Sequence, residues 1–500
     1  MLLVVWATLL HPLRHLDFWW HLKVGEIIVE NGHIPTNDIF SFTEHGKSFV
    51  HQNWLAEVFF YIIWKVGGAE LLIFVNTLLM TASFLVICAV AAMRVNYSRF
   101  HSLFMLVAAF SFALYSNLRT QTFSFLFLSL FLLILWRYYF QRGYRTLWLL
   151  PVIMMFWVNI HGAFTIGLIT LILFLGNAAI EYALLRQDER SAILKAQFRQ
   201  LIIITILTVV ATLVNPFGVA IYRSVQQVMT DPSSQLFVTE WQSPRVTNPE
   251  HLLTFFIPFF SVLLIFTYSQ RKPDLLSIGI FLLFAALGLT SVRNGIWFSI
   301  AVIPIAAWYI EETPLQSVFS RIFRSANSIS RPKFTSIINW SILGALVAMT
   351  ILLNPWVRPR LGIEVLRPSL IDPRIPVGAM EYIEREKITD RIFHHQDFGD
   401  YMIWRLWPQQ YTFVDGRVHL FSYQVVRDYL DALSGSHWEE IMTNYNISYI
   451  FLPKPSRDEM LPLLEAIQQS ESWKSIYEDD KSVIFQRLVP SVYQSSTMSN

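Results

Sequence analysis

The sequence has little charge for its length. Asp, Glu, Lys and Arg make up 15% of 500 residues, while hydrophobic residues make up 54%. A soluble domain carries roughly 25% charged residues, and a chain this poor in them cannot cover its apolar surface in water. The one cysteine, Cys88, sits in an apolar run. That excludes a disulfide within the chain and leaves any soluble part to be held together by its core. Neither sign of charge is in excess, the formal net charge being +2, so nucleic acid is not an expected partner. The first residues show neither a basic leader nor a small-residue cleavage site, and they read as a span rather than a cleaved signal peptide.

What the chain does have is long hydrophobic runs. Crossing a ~30 Å hydrocarbon layer takes about 20 mostly apolar residues, and they must be helical because unpaired backbone groups are too costly in lipid. Such runs lie near 1–16, 70–93, 101–116, 122–140, 146–158, 162–185, 200–215, 251–268, 275–291, 295–311 and 335–354. The reading is an α-helical multi-pass membrane bundle of about 11 transmembrane helices over 1–354. With Met1 inside, the inner loops hold fifteen Lys and Arg, among them Arg94, Arg99, Arg137 and Arg145, against seven in the outer loops with Lys65, close to the second span, left out. Basic loops stay cytoplasmic, which sets the orientation.

That orientation puts the segment 17–53 and everything from 355 on the external side. The first belongs to the bundle domain and carries two juxtamembrane helices. One is Phe18–Asn31, closed by Gly32, with Trp19 and Trp20 at headgroup level; the other opens at His51 and runs to the Gly67-Gly68 break. Residues 355–489 read as an external soluble α/β domain. Short strands at 391–394, 411–414, 448–452 and 482–486 alternate there with helical patterns at 377–387, 398–407, 423–433, 438–445 and 457–469. Residues 490–500 are a Ser-rich flexible tail.

Polar residues at the external face are the candidates for chemistry. Asp17 ends the first span, where a carboxylate either caps the helix from Phe18 or acts as general base or metal ligand at the water boundary. Glu57 is the second catalytic candidate, and His51 and Trp20 are candidate substrate contacts from the same segment. Glu26, Glu30 and Asp38 read as a solvated face. Arg119 and Arg293 stand in tight external hairpins, where they either snorkel or bind phosphate oxygens through the guanidinium fork. Asn159 and His161 interrupt an apolar run, and polar groups at that depth face a cavity or another helix. Asp415 and Arg417 read as a structural pair where a strand runs into a turn.

The runs Asp17-Phe18-Trp19-Trp20-His21-Leu22, Asn53-Trp54-Leu55-Ala56-Glu57, Asn159-Ile160-His161-Gly162, Asn215-Pro216-Phe217-Gly218 and Asp415-Gly416-Arg417 resemble the C-type glycosyltransferase superfamily. Within it the chain is similar to poorly characterised bacterial relatives of protein mannosyltransferases. The resemblance implies transfer of a sugar from a polyprenyl-phosphate-linked donor to a glycan or protein acceptor, at the outer face of a bacterial plasma membrane. Asp17 matches the acidic residue of the first external loop, while the second acid that relatives place in a later loop has no match, because the Arg119 loop lacks a carboxylate. The implied reaction is inverting displacement at the sugar C1, with Asp17 as base and Arg119 and Arg293 steadying the lipid phosphate. A single-phosphate donor needs no cofactor by this analogy; a pyrophosphate donor would bring a divalent metal, with Asp17 as its ligand. Two readings compete. A lipid or solute transporter or flippase suits the interruption at 159–162, and a non-catalytic membrane scaffold for envelope assembly suits the missing second acid.

Overall fold

The computed structural model describes residues 17–94, 99–141, 145–184, 191–310, 312–314, 332–352, 370–454 and 461–488, with 5, 8, 9 and 13 before them. They form two compact units. One holds Met1–Pro12, Ile63–Arg223 and Val238–Leu370; the other holds Leu13–Ile62, Ser224–Phe237 and Ile371–Asn500.

The first unit is helical because its sequence offers long apolar runs broken by short polar turns. After the body of Trp54–Ala91 come Arg99–Leu114, Gln121–Gln141, Leu149–Ile160, Phe164–Leu184, Ser191–Ala211, Ile257–Tyr268, Leu275–Thr290, Gly295–Ile310 and Pro332–Leu352. Trp54–Ala91 is kinked at the expected Gly67-Gly68 break, where both residues leave helical geometry. Among the described residues, Trp54–Ala91, Gln121–Phe140, Phe164–Leu184, Leu194–Ala211 and Pro249–Tyr268 are long and apolar enough to cross a membrane. Met105–Leu114, Arg145–Ile160 and Leu275–Thr290 are shorter apolar helices. Phe110, Ile172, Ile206, Phe260 and Leu282 face outward, which water would penalise and hydrocarbon does not. Gly295–Ile310 is buried at every residue, as a helix apolar all round should be. Its few polar atoms find partners: Ser299 Oγ donates to Ser111 Oγ (3.0 Å), and Trp308 Nε1 to the carbonyls of Val90 and Ala91. The expected first span falls mostly outside the described residues, and the 490–500 tail wholly so.

The second unit is built on a four-stranded sheet. Its strands are β1 (Ile392–His394), β2 (Tyr449–Pro453), β3 (Trp473–Glu478) and β4 (Ser482–Arg487), in the order β1-β2-β4-β3. β1 and β2 are parallel, and the other pairs are antiparallel. Helices Val377–Arg385, Gln396–Leu406, Tyr423–Leu433, Trp438–Asn444 and Pro462–Gln468 accompany it. The strand expected at 411–414 does not form. Thr412 makes a single bridge to Ser41, and the chain then turns sharply around Asp415. β3 was not expected; it is an edge strand with Lys474 and Glu478 exposed, which weakens the alternation that would reveal it.

The boundary expected at 354/355 also differs. One core joins Trp20, Val24, Ile27, Phe40 and Phe49 to Phe393, Phe413, Phe421, Val425 and Ile450, so residues 13–62 group with those after 371. Trp19 and Trp20 are therefore buried rather than interfacial, at 0% and 6% exposure. Trp19 meets Tyr401 edge-on at 4.9 Å.

Candidate active site

Asp17 begins Phe18–Asn31 with φ 24° and ψ −27°. A non-glycine residue at positive φ costs about 1–3 kcal/mol, and a fold retains it only where its surroundings hold it there. The residue is at the N-cap position, yet its side chain makes no capping hydrogen bond. The carboxylate instead reaches the turn Asp415-Gly416-Arg417. A Cβ placed on Gly416 would stand 2.7 Å from Asp17 Oδ1 and 2.7 Å from Asp400 Oδ2. The two carboxyls thus close on the space that a side chain at Gly416 would need, and only glycine lets both approach this turn.

Asp400 sits inside Gln396–Leu406 and is 4% exposed. Its Oδ1 accepts the Gly416 N–H at 2.7 Å, and no other hydrogen bond reaches this carboxyl among the described residues. Gly399 lets the helix come close, since a Cβ there would lie 2.5 Å from the Val414 carbonyl oxygen. Burial first, then the charges of Asp17 and Asp415, push the Asp400 carboxyl well above the usual carboxylate range.

The turn itself is locked by a buried ion cluster. Arg417 donates from Nη1 to Asp38 Oδ1 (2.6 Å), from Nη2 to Asp415 Oδ2 (2.6 Å) and from Nε to Asp415 Oδ1 (2.9 Å). Its guanidinium also lies over the Phe40 and Phe49 rings. Burial works against the Asp415 carboxylate, but the charge and hydrogen bonds of Arg417 hold it below the usual range. The expected structural pairing of Asp415 and Arg417 is what forms. Asp38, expected on a solvated face, is 1% exposed and belongs to this cluster, because only an acid there can meet the second edge of the Arg417 fork. Burial pulls the His394 imidazole down to about 4, so it is neutral, and its Nε2 accepts the Phe413 N–H at 2.9 Å just before the turn.

Glu57, His51 and Trp20 do come together, but as an enclosed set. Glu57 is fully buried, with Oε1 2.8 Å from His21 Nδ1 and Oε2 3.7 Å from His51 Nδ1. The Trp20 ring covers His21 at 3.6 Å, and His51 meets Phe49 edge-on at 4.8 Å. Glu57, expected as a second catalytic group, thus lies enclosed, its Oε1 holding His21 one helical turn beyond Asp17. His51 (2% exposed) and Trp20 are shut in the same way.

The remaining expected residues lie in the helical unit. Asn159 Nδ2 donates to the carbonyls of Met155 and Val214, each at 2.8 Å. His161 Nδ1 is 3.1 Å from Ser124 Oγ and accepts the Ala163 N–H at 3.1 Å. Both brace the break between Leu149–Ile160 and Phe164–Leu184 by meeting neighbouring backbone. Arg119 and Arg293 keep their place at hairpins, each with a partner close by: Glu240 for Arg119 and the Trp241 ring for Arg293.

Asp400 and His21 were not singled out from the sequence. The signal for Asp400 was an acid flanked by Phe398, Tyr401 and Met402 on the buried side of an amphipathic helix. No group of three or more His, Cys, Asp or Glu side chains among the described residues is disposed to hold a metal ion.

No protein-family model and no curated protein matches the sequence. Solved structures do. Over 90% of this chain and 69% of the other, the fold matches the archaeal oligosaccharyltransferase AglB from Archaeoglobus fulgidus, solved with an inhibitory peptide and a dolichol-phosphate, at 12% identity and TM-score 0.53. ArnT from Cupriavidus metallidurans, solved bound to undecaprenyl phosphate, aligns over 97% of this chain and 96% of its own at 13% identity and TM-score 0.48. Sequence identity this low speaks to architecture alone, and at that level the chain shares its fold with the archaeal oligosaccharyltransferase AglB.

Proposed function

We propose that this protein is an integral-membrane glycosyltransferase that moves a sugar from a polyprenyl-phosphate-linked donor to a hydroxyl of a glycan or protein acceptor. The observation that carries the reading is Asp17, strained, uncapped and turned with the Asp400 carboxyl toward the Gly416 backbone. A fold shared with a protein solved with dolichol-phosphate supports a lipid-linked donor. The topology proposed with it is that of the sequence: eleven spans in a bacterial plasma membrane, with residues 17–53 and the chain from 355 outside.

In the proposed reaction Asp17 takes the proton of the acceptor hydroxyl as its oxygen bonds to the sugar C1 from the face opposite the phosphate. The C1–O bond breaks, and its electron pair leaves with the polyprenyl phosphate. Arg119 and Arg293 receive the charge that grows on the phosphate.

Native mass spectrometry of gently solubilised protein should find a bound polyprenyl phosphate or its glycosylated form, which names the donor for a transfer assay. Asp17→Asn should keep that lipid and lose roughly 10²–10⁴-fold of the transfer rate, the range of a missing general base. A variant with full transfer, or a protein with no preference for lipid phosphates, would move the weight to a scaffold or a transporter.

A further inference from the structure

Two arginines from separate hairpins meet one short segment. Arg119 gives Nη1 and Nη2 to Glu240 Oε2 and Oε1 at 2.7 and 2.9 Å. Arg293, in the turn Val292–Asn294, lays its guanidinium on the Trp241 ring, 4.4 Å from the centroid. Glu240 and Trp241 are neighbours in the turn Thr239–Trp241. That turn is tied to the Arg293 hairpin by Ser291 Oγ donating to the Glu240 carbonyl (2.8 Å) and the Val292 N–H donating to the Gln242 carbonyl (2.9 Å). One acid and one aromatic, adjacent in sequence, thus each hold one of the two guanidinium groups.

A guanidinium that holds a carboxylate through two parallel N–H···O bonds uses the geometry with which it holds two oxygens of a phosphate. The Glu240 side chain is 37% exposed and that of Arg119 19%, so the pair is open to an incoming anion and is weakened by solvent. We propose that Glu240 is a latch on an anion site made by Arg119 and Arg293, and that the phosphate of a polyprenyl-phosphate lipid binds by displacing the Glu240 carboxylate from the Arg119 fork. The inference rests on the reading that these arginines take the donor phosphate, and it adds how the site is regulated. Until lipid arrives, the fork is neutralised by an internal carboxylate; when lipid leaves, the same carboxylate returns and competes against rebinding.

The test is a titration of the full-length solubilised protein with a polyprenyl monophosphate at fixed salt, with occupancy read by native mass spectrometry. Glu240→Gln and Glu240→Ala should each bind roughly fivefold tighter than wild type, the scale of a partly exposed bidentate pair. Arg119→Ala should weaken binding, and adding Glu240→Gln to it should restore nothing. Excess inorganic phosphate should fail to displace the lipid; displacement would assign the site to free phosphate instead. Unchanged or weaker binding by both Glu240 variants, with wild-type unfolding midpoints, would overturn the latch and make Glu240 a support for Arg119, with the phosphate reading intact. Absence of lipid binding in wild type and every variant would overturn the phosphate reading itself.

Discussion

Replacing Asp400 with asparagine keeps an oxygen to accept the Gly416 N–H and removes a titrating charge from a site that is 4% exposed. In the folded chain burial and the nearby charges of Asp17 and Asp415 raise this carboxyl well above its ordinary value, while in the unfolded chain it releases its proton near the usual pKa of about 3.9. Over the interval between those two values the native state binds more protons than the unfolded state. Wild-type stability is therefore full on the acid side and falls as pH rises, at about 1.4 kcal/mol per pH unit, until the folded-state value is passed. The asparagine of the variant does not titrate. Variant and wild type should be matched near pH about 4, and the variant should gain on wild type at that slope toward neutral pH. Chemical unfolding of the detergent-purified protein, followed by tryptophan fluorescence across that range, measures the difference directly. Asp17→Asn removes one of the raising charges, so its own falling limb should be shorter. Parallel curves for wild type and Asp400→Asn would mean that Asp400 ionises like any exposed carboxylate, against the burial and neighbouring charges that raise it.

Truncating the buried fork in Arg417→Ala leaves Asp38 and Asp415 unpaired, for which about 3–5 kcal/mol of stability should be lost; a change in unfolding free energy below about 1 kcal/mol would contradict the ion cluster as the lock on the turn. Gly416→Ala puts a methyl 2.7 Å from an oxygen of each facing carboxyl, so Asp17 and Asp400 must part. The expected result is a stability cost of about 1–3 kcal/mol and a loss of transfer with lipid binding kept. Wild-type transfer by that variant would remove the close approach of Asp17 and Asp400 from the site. Together with Asp17→Asn and the Glu240 variants, these changes separate base, facing carboxyl, turn and phosphate latch by different readouts.

Legibility from sequence followed the range of the interaction. The apolar runs from 99 onward became helices close to their expected bounds, and the Gly67-Gly68 break appeared as a kink, because helix formation in an apolar run answers to neighbours a few residues away. The helices after 377 and three of the four strands followed the same local patterns. Glu57, His51 and Trp20 were grouped correctly by proximity in sequence, but their burial was not foreseen. Whether an acid at a helix start faces water or protein depends on what packs over it.

Composition alone was enough to call for lipid, since 15% charged residues cannot clothe a chain of this length in water. It also bounded the chemistry to acids and arginines at the ends of spans. Where those groups point was settled by contacts far along the chain. Asp17 meets Asp400 and Gly416, Asp38 meets Arg417, and Arg119 meets Glu240. Charge pairing acts through space and leaves no period in the sequence. A carboxyl shifts its proton affinity, or a guanidinium fills its fork, only once the fold has excluded water and brought the partner within a few ångströms.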